Sequence, residues 1–113
     1  MDCLFCKILE GEIPSKKVYE DDRIYAFQDI HPQAPIHILV IPKKHINSIL
    51  DLTDEDADLV GYMMSKISDI VKENDIPQDS IRIVSNCGKR AGQTVFHLHF
   101  HILAGRDFEW PPG

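Results

Sequence analysis

Three histidines fall within five residues, at His97, His99 and His101, and they alternate with Leu98, Phe100 and Ile102. Alternation at period two is the pattern of a half-buried β-strand, with imidazole on one face and core on the other. A strand rises about 3.3 Å per residue, so successive histidines stand about 6.6 Å apart at Cα and the outer pair about 13 Å. An unbent strand therefore cannot close all three on one metal ion. The three must divide their labour, which suits a nucleophile flanked by helpers. Imidazole titrates near neutrality and is a usable nucleophile at pH 7. Clustered titratable groups of this kind mark sites more often than solvated strand faces.

The loop Asn86-Cys87-Gly88-Lys89-Arg90-Ala91-Gly92-Gln93-Thr94 runs straight into the histidines. Its glycines let a backbone approach a ligand closely, and Asn86 and Thr94 add neutral polar contacts. Lys89 and Arg90 read as solvated loop cations. His37 heads an apolar run and, taken alone, is as readily structural as functional. Cys3-x-x-Cys6 supplies two thiols at zinc spacing, while Cys87 stands alone. In a reducing compartment such a pair serves metal binding or redox work more often than a structural disulfide.

The elements that must position these residues follow from pattern. Residues 3–9 read as a short helix carrying Leu4, Phe5, Ile8 and Leu9, ended by Gly11 and Pro14. Residues 17–20 and 24–27 form a hairpin about Asp21-Asp22. Residues 31–35 are a loop, because prolines fix φ and remove donors. Residues 37–41 are nearly all apolar and so a central strand. Thr53 caps a helix whose first turn is acidic, and Val60, Met63, Met64, Ile67, Ile70 and Val71 form its buried face. Pro77 prevents its continuation. Residues 80–84 are a fourth strand and the histidine stretch is the fifth. This order predicts a single α+β domain over residues 1–113, with a mainly antiparallel sheet and one long helix on a face.

Composition bounds the function. The 113 residues carry 12 basic and 18 acidic side chains, a net charge of -6. That argues against a nucleic-acid footprint, which needs clustered positive charge, but leaves room for one small anion held by backbone N–H groups. No apolar run approaches the ~20 residues needed to span a bilayer. Residues 1–6 lack the basic and apolar regions of a signal peptide, so no membrane association and a cytoplasmic location are expected.

The run His97-Leu98-His99-Phe100-His101-Ile102-Leu103 resembles the His-φ-His-φ-His-φ-φ signature (φ apolar) of the histidine triad superfamily of nucleotide hydrolases and transferases. Gly11-Glu12-Ile13-Pro14, Tyr19-Glu20-Asp21-Asp22, Phe27-Gln28-Asp29-Ile30, Pro32-Gln33-Ala34-Pro35 and the run from His37 to His45 resemble its Hint branch. So does Trp110-Pro111-Pro112-Gly113, and a third histidine in place of glutamine separates this branch from the Fhit-like one.

The resemblance implies a five-stranded antiparallel sheet, and a homodimer that joins two sheets into one of ten strands. It implies that His99 attacks a nucleotide α-phosphorus to give a nucleotidyl-histidine that water hydrolyses. His101 would hydrogen-bond the phosphate oxygens, and His37 would relay a proton or orient a neighbour. Residues matching Asn86, Gly92, Thr94 and Val95 contact the phosphate; serine is usual where this chain has Thr94. Asp29 would bind the ribose hydroxyls. Ile30, Phe5, Ile8 and Leu39 would line an apolar slot for a purine, with His31 departing from the small residue usual at the rim. Cys3, Cys6, His45 and His97 would hold a structural zinc, as in galactose-1-phosphate uridylyltransferase relatives and some bacterial triad proteins; animal Hint proteins lack the CxxC. The tail carrying Trp110 would reach the partner's site. The activity so implied is hydrolysis of the P–N bond of purine nucleoside 5′-phosphoramidates. Dinucleoside polyphosphate hydrolysis, nucleotidyl transfer, a nucleotide-binding adaptor and a redox role for Cys3 and Cys6 are the alternatives.

Overall fold

The computed structural model describes residues 3–113. In chain order the elements are α1 (Leu4–Leu9), β1 (Lys17–Glu20), β2 (Ile24–Gln28), β3 (Ile36–Pro42), α2 (Ala57–Glu73), β4 (Ile81–Val84) and β5 (Phe100–Ala104). The strands form one antiparallel sheet in the order β1-β2-β3-β5-β4. The apolar run expected to be central is central: β3 is buried from His37 to Pro42. No helix among the described residues is long and apolar enough to cross a membrane.

Period-two alternation divides the sheet between two cores. Ile24, Ala26, Ile38, Val40, Ile102 and Ala104 point to α2 and meet its buried stripe of Met63, Ile67, Ile70 and Val71. Tyr25, Phe27, Leu39 and Ile41 point the other way, against Phe5 of α1 and against Cys3. Each fully buried side chain of this kind contributes about 1.5–3 kcal/mol through removal from water. The second core is the smaller, and it is the one that carries the histidines.

Thr53 is the N-cap as expected, the first turn after it is 3-10 (Asp54–Asp56), and α-helical geometry begins at Ala57. The cap works through Asp56, whose Oδ2 accepts the main-chain N–H of Thr53 at 3.0 Å. Met64 does not join the buried face; it is 40% exposed. The Val60–Met63–Met64 spacing places it at the margin of the stripe, and the sheet covers only the Met63 side. The Asp21 turn is tied to α2: its carboxylate accepts the N–H groups of Arg23 and Ile24 at 2.8 and 3.0 Å and the hydroxyls of Tyr19 and Tyr62.

The fifth strand is shorter than its alternation predicts. Regular pairing starts at Phe100, and residues 93–99 are irregular. Leu98 N–H leaves the ladder to bond the Ile46 carbonyl at 2.6 Å. His97, Leu98 and His99 are all buried, so side chains on both sides of this segment are enclosed. The expectation of a half-buried strand through all three histidines is corrected accordingly: only His101 lies on regular strand.

Candidate active site

The break at Phe100 gives each histidine its own environment. His97 turns toward α1, where Cys3 Sγ and Cys6 Sγ stand 3.4 and 3.6 Å from its Nδ1. His45 Nδ1 lies 3.1 Å from His97 Nδ1 and 3.3 Å from Cys6 Sγ. These four side chains form a compact donor cluster able to hold a metal ion. Cys3 also caps α1, its sulfur accepting from Cys6 N–H at 3.3 Å. The short helix and the cluster are therefore one unit.

Hydrogen-bond partners assign the ring protons. A carbonyl only accepts, so each nitrogen facing one carries hydrogen. His97 Nε2–H donates to the Pro42 carbonyl at 2.8 Å, which leaves Nδ1 as a lone pair facing the thiols. His45 Nε2–H donates to Asn47 Oδ1 at 2.8 Å, so its Nδ1 is a lone pair as well. His99 Nδ1–H donates to the His97 carbonyl at 2.7 Å, so its Nε2 is free to act as a nucleophile or base.

His37 and His101 form a second group. Main-chain Gln33 N–H donates to His37 Nδ1 at 3.0 Å. His37 Nε2–H then donates to His101 Nδ1 at 2.8 Å and has Asp29 Oδ2 within 3.4 Å. His101 is left with its proton on Nε2, a buried atom with no partner among the described residues. An N–N separation of 2.8 Å is a hydrogen bond rather than a pair of lone pairs sharing a cation. Asp29 is held in turn by His31 N–H, which donates to Oδ1 at 2.8 Å.

Burial holds these rings neutral. Desolvation pushes His37 and His99 below the ordinary imidazole range, opposed for His37 by Asp29 and for His99 by its bond to the His97 carbonyl. His101 is pushed down to about 4, first by burial and then by the neighbouring imidazoles His99 and His37. A neutral His99 at pH 7 keeps its nucleophilic lone pair.

A cavity of about 270 Å³ opens onto His99 and His101. Phe5, Ile8, Leu39 and Val95 give it an apolar floor, with Asp29 and Thr94 at its polar end. Phe5 stands edge-on to the His99 ring with centroids 5.0 Å apart. Ile30 lines the mouth but is 82% exposed, so it is a rim residue rather than a wall. His31 also lines this rim.

Some expected site residues stand apart. His37 is buried behind His101 and does not line the cavity. Asn86 and Gly92 lie next to each other in the loop before the histidines: a Cβ on Gly92, where φ is +95°, would meet Asn86 Nδ2 at 3.8 Å. Neither lines the cavity. Trp110 is 83% exposed and reaches no part of the site in its own protomer.

Other lining residues were not foreseen: Leu4, Ile13, Pro14, Ser15, Phe27 and Gln28. Phe27 was accessible by parity, since it pairs with Leu39 and so shares its face. Gln93 was also missed. Buried at 3% exposure, it organises the loop: its Oε1 accepts Gly88 N–H at 2.9 Å, and its Nε2 donates to the Asn47 and Val95 carbonyls at 2.7 and 3.2 Å. No pattern marks a single buried amide of this kind.

An antiparallel α+β sheet with the histidine run at the mouth of an apolar cavity defines a known class of protein. A family profile described as the HIT domain matches residues 10–108, and the chain belongs to that family. It is 49% identical over 112 residues to an uncharacterized HIT-like protein of Synechocystis, covering 99% of this chain and 97% of that one. Among solved structures it is similar to a HIT family hydrolase from Legionella pneumophila, with 46% identity, TM-score 0.95, and coverage of 99% of this chain and 100% of the other. It is also similar to a histidine triad protein from Clostridium difficile, with 53% identity, TM-score 0.91, and coverage of 96% and 95%.

Proposed function

We propose that this protein is a nucleoside phosphoramidase of the Hint type, hydrolysing the P–N bond of purine nucleoside 5′-phosphoramidates. The observation that carries the reading is the tautomer order at the cavity. His99 presents a lone pair at Nε2, and His101 presents an unpartnered Nε2–H beside it, their ring centroids 5.0 Å apart. A nucleophile beside a hydrogen-bond donor for the phosphoryl oxygens is what a phosphoryl substitution needs.

In the proposed reaction the purine lies on the apolar floor of Phe5, Ile8 and Leu39, under the rim at Ile30. Asp29 accepts the ribose hydroxyls. Thr94 and Val95 face the phosphate from the cavity wall, at the end of the loop that carries Asn86 and Gly92. His99 Nε2 forms a bond to the α-phosphorus as the P–N bond breaks. His101 Nε2–H hydrogen-bonds the phosphoryl oxygens and stabilises their developing charge, and the departing amine takes its proton from solvent water. Water then attacks the phosphorus and gives its proton back to solvent, the P–His99 bond breaks with its electron pair returning to Nε2, and the nucleoside monophosphate and a neutral His99 are released. His37 keeps His101 in its Nε2–H tautomer throughout.

The Cys3, Cys6, His45 and His97 donors fit a structural zinc. Zn–S bonds of about 2.3 Å and Zn–N bonds of about 2.0–2.1 Å give a tetrahedron with edges near ~3.3 Å for N···N and ~3.5 Å for S···N. The separations here are 3.1 Å and 3.3–3.6 Å. Two ring lone pairs facing each other at 3.1 Å have no proton between them, so a cation is the natural occupant. Bound there, the metal would fold α1 onto the sheet and fix the His97 carbonyl that holds His99.

The assembly we propose is a C2 homodimer paired along β4, an edge strand whose Ile83 is 41% exposed, with Trp110 completing the partner's site. The test is turnover of a panel of AMP-amine, GMP-amine and diadenosine polyphosphate by wild type and His99→Ala. The expected result is preference for the amines, with the variant inactive while still binding AMP. Preference for the polyphosphate, or wild-type-like turnover by the variant, would reject the reading.

A further inference from the structure

Gln33 sits where two parts of the chain meet behind the histidines. Its main-chain N–H donates to His37 Nδ1 at 3.0 Å. Its main-chain carbonyl accepts from Arg106 Nε at 3.1 Å. One peptide-bearing residue thus links the segment after β5 to the buried ring.

Arg106 is exposed, yet its position is determined. Besides the Gln33 carbonyl, it donates from Nη1 to the Asp107 carbonyl at 3.0 Å. Its guanidinium stacks 4.1 Å from the centre of the Phe108 ring. Gly105 permits the close approach: it has φ +95°, and a Cβ there would stand 3.2 Å from Pro35. The turn after β5 is therefore pressed against the loop that holds Gln33.

The consequence is a matter of proton placement. A neutral imidazole carries one proton. While Gln33 N–H occupies His37 Nδ1, the His37 proton must sit on Nε2. That proton occupies His101 Nδ1, so the His101 proton must sit on Nε2, the buried nitrogen of a ring that borders the cavity. If the Gln33 backbone, released at its carbonyl, turned its N–H away, His37 would be free to protonate at Nδ1. Its Nε2 would become a lone pair, and His101 would then favour a proton on Nδ1 to meet it. The donor at His101 Nε2 would be lost.

We infer that Arg106 is a positioning residue, acting through the backbone of Gln33, whose bonded carbonyl and N–H lie in successive peptide groups about one Cα, to hold the His37–His101 tautomer pair; its bearing on catalysis rests on the reaction proposed above. Long-range ¹H–¹⁵N imidazole spectra of the full chain report which nitrogen of each ring bears hydrogen. In the wild type, His37 and His101 should both show the Nε2–H form. Arg106→Ala should mix the tautomers of both rings and lower kcat for AMP-amine by about tenfold to a hundredfold, the scale of a small misplacement of reacting groups, with KM nearly unchanged. Arg106→Lys, which can still donate to the Gln33 carbonyl, should recover most of both effects.

Arg82→Ala provides the comparison. Arg82 also stacks on Phe108, at 5.1 Å, and donates to the Glu109 carbonyl at 2.9 Å, but makes no bond to Gln33. It should leave the His37 signals as in the wild type. Unchanged tautomers in Arg106→Ala, unchanged kcat in that variant, or an equal disturbance from Arg82→Ala would each overturn the inference. Absence of turnover by the wild type would overturn the phosphoramidase reading alone, and the Arg106→Ala spectrum would still decide the tautomer coupling.

Discussion

Replacing His45 with alanine should abolish a metal-dependent part of the stability of this protein. His45 supplies one of four donors that all lie within 4.8 Å of one another, and the N···N and three S···N separations of 3.1 to 3.6 Å match edges of a zinc tetrahedron. The ring is only partly buried, so its own packing loss should be small. The metal contribution can be sized by linkage: at free zinc one hundred times Kd, binding to the folded state adds about 2.7 kcal/mol. With a melting entropy of about 2.1 cal/mol/K per residue, the 113-residue chain has about 0.24 kcal/mol/K, so the midpoint should rise by about 11 °C. Thermal melts of wild type and His45→Ala, each with buffered zinc and with chelator, measure this directly, and elemental analysis should give about one zinc per wild-type chain. Wild type should lose the shift on chelation, and the variant should show little shift in either condition. A wild type that melts at one temperature with and without chelator, or a variant that keeps both zinc and shift, would refute the assignment.

Three further outcomes are expected. Acidification should destabilise the fold between pH 6.5 and about 4: His101 titrates near 4 when folded and near 6.5 when unfolded, so the unfolded chain binds more protons in that window. This group alone corresponds to about 3 kcal/mol, and thermal midpoints that are flat across the window, or that fall equally in His101→Asn, would contradict it. Phe5→Ala should cost about 3–5 kcal/mol, because the ring is 4% exposed and packs on Phe27, His97 and His99; a urea midpoint like that of the wild type would show the second core to be dispensable. Deleting residues 108–113 should alter selectivity among leaving amines more than AMP affinity, as compared by kcat/KM over a series of amines and by AMP titration; an unchanged profile in a protein that is monomeric when dilute would count against completion of the site in trans.

The sheet and the long helix were legible because their signals are local. The hairpin about Asp21-Asp22, the continuous apolar run at residues 37–41 and the 3–4 spacing of Met63, Ile67 and Ile70 follow from which surfaces of a strand or helix meet the core. Met64 was misread because spacing gives the direction of a stripe and not its width. The shape of the cavity was only partly legible. Phe5, Ile8 and Leu39 carry element patterns, whereas Ile13, Pro14 and Ser15 come from a turn with no period. The end of β5 was not legible at all. His97 and His99 keep the alternation of a strand, but the Leu98 amide bonds to Ile46, 52 positions away, in place of a ladder partner.

That departure from the ladder accounts for how three histidines on one short stretch come to do different things. A straight strand would point all three rings the same way into one solvent environment. By leaving the sheet before Phe100, the chain turns His97 into the thiol cluster and directs the His97 carbonyl to His99 Nδ1. His101, still in register opposite Leu39, is handed to His37 on the next strand. The Cys/His cluster and the ring with the free lone pair are thereby joined by a single carbonyl, and the His101 Nε2–H is governed from the other side by the Gln33 N–H. Each ring has one nitrogen committed to the fold and the other set by that commitment, so a fault in either support should appear first as a change of tautomer and only then as a loss of structure.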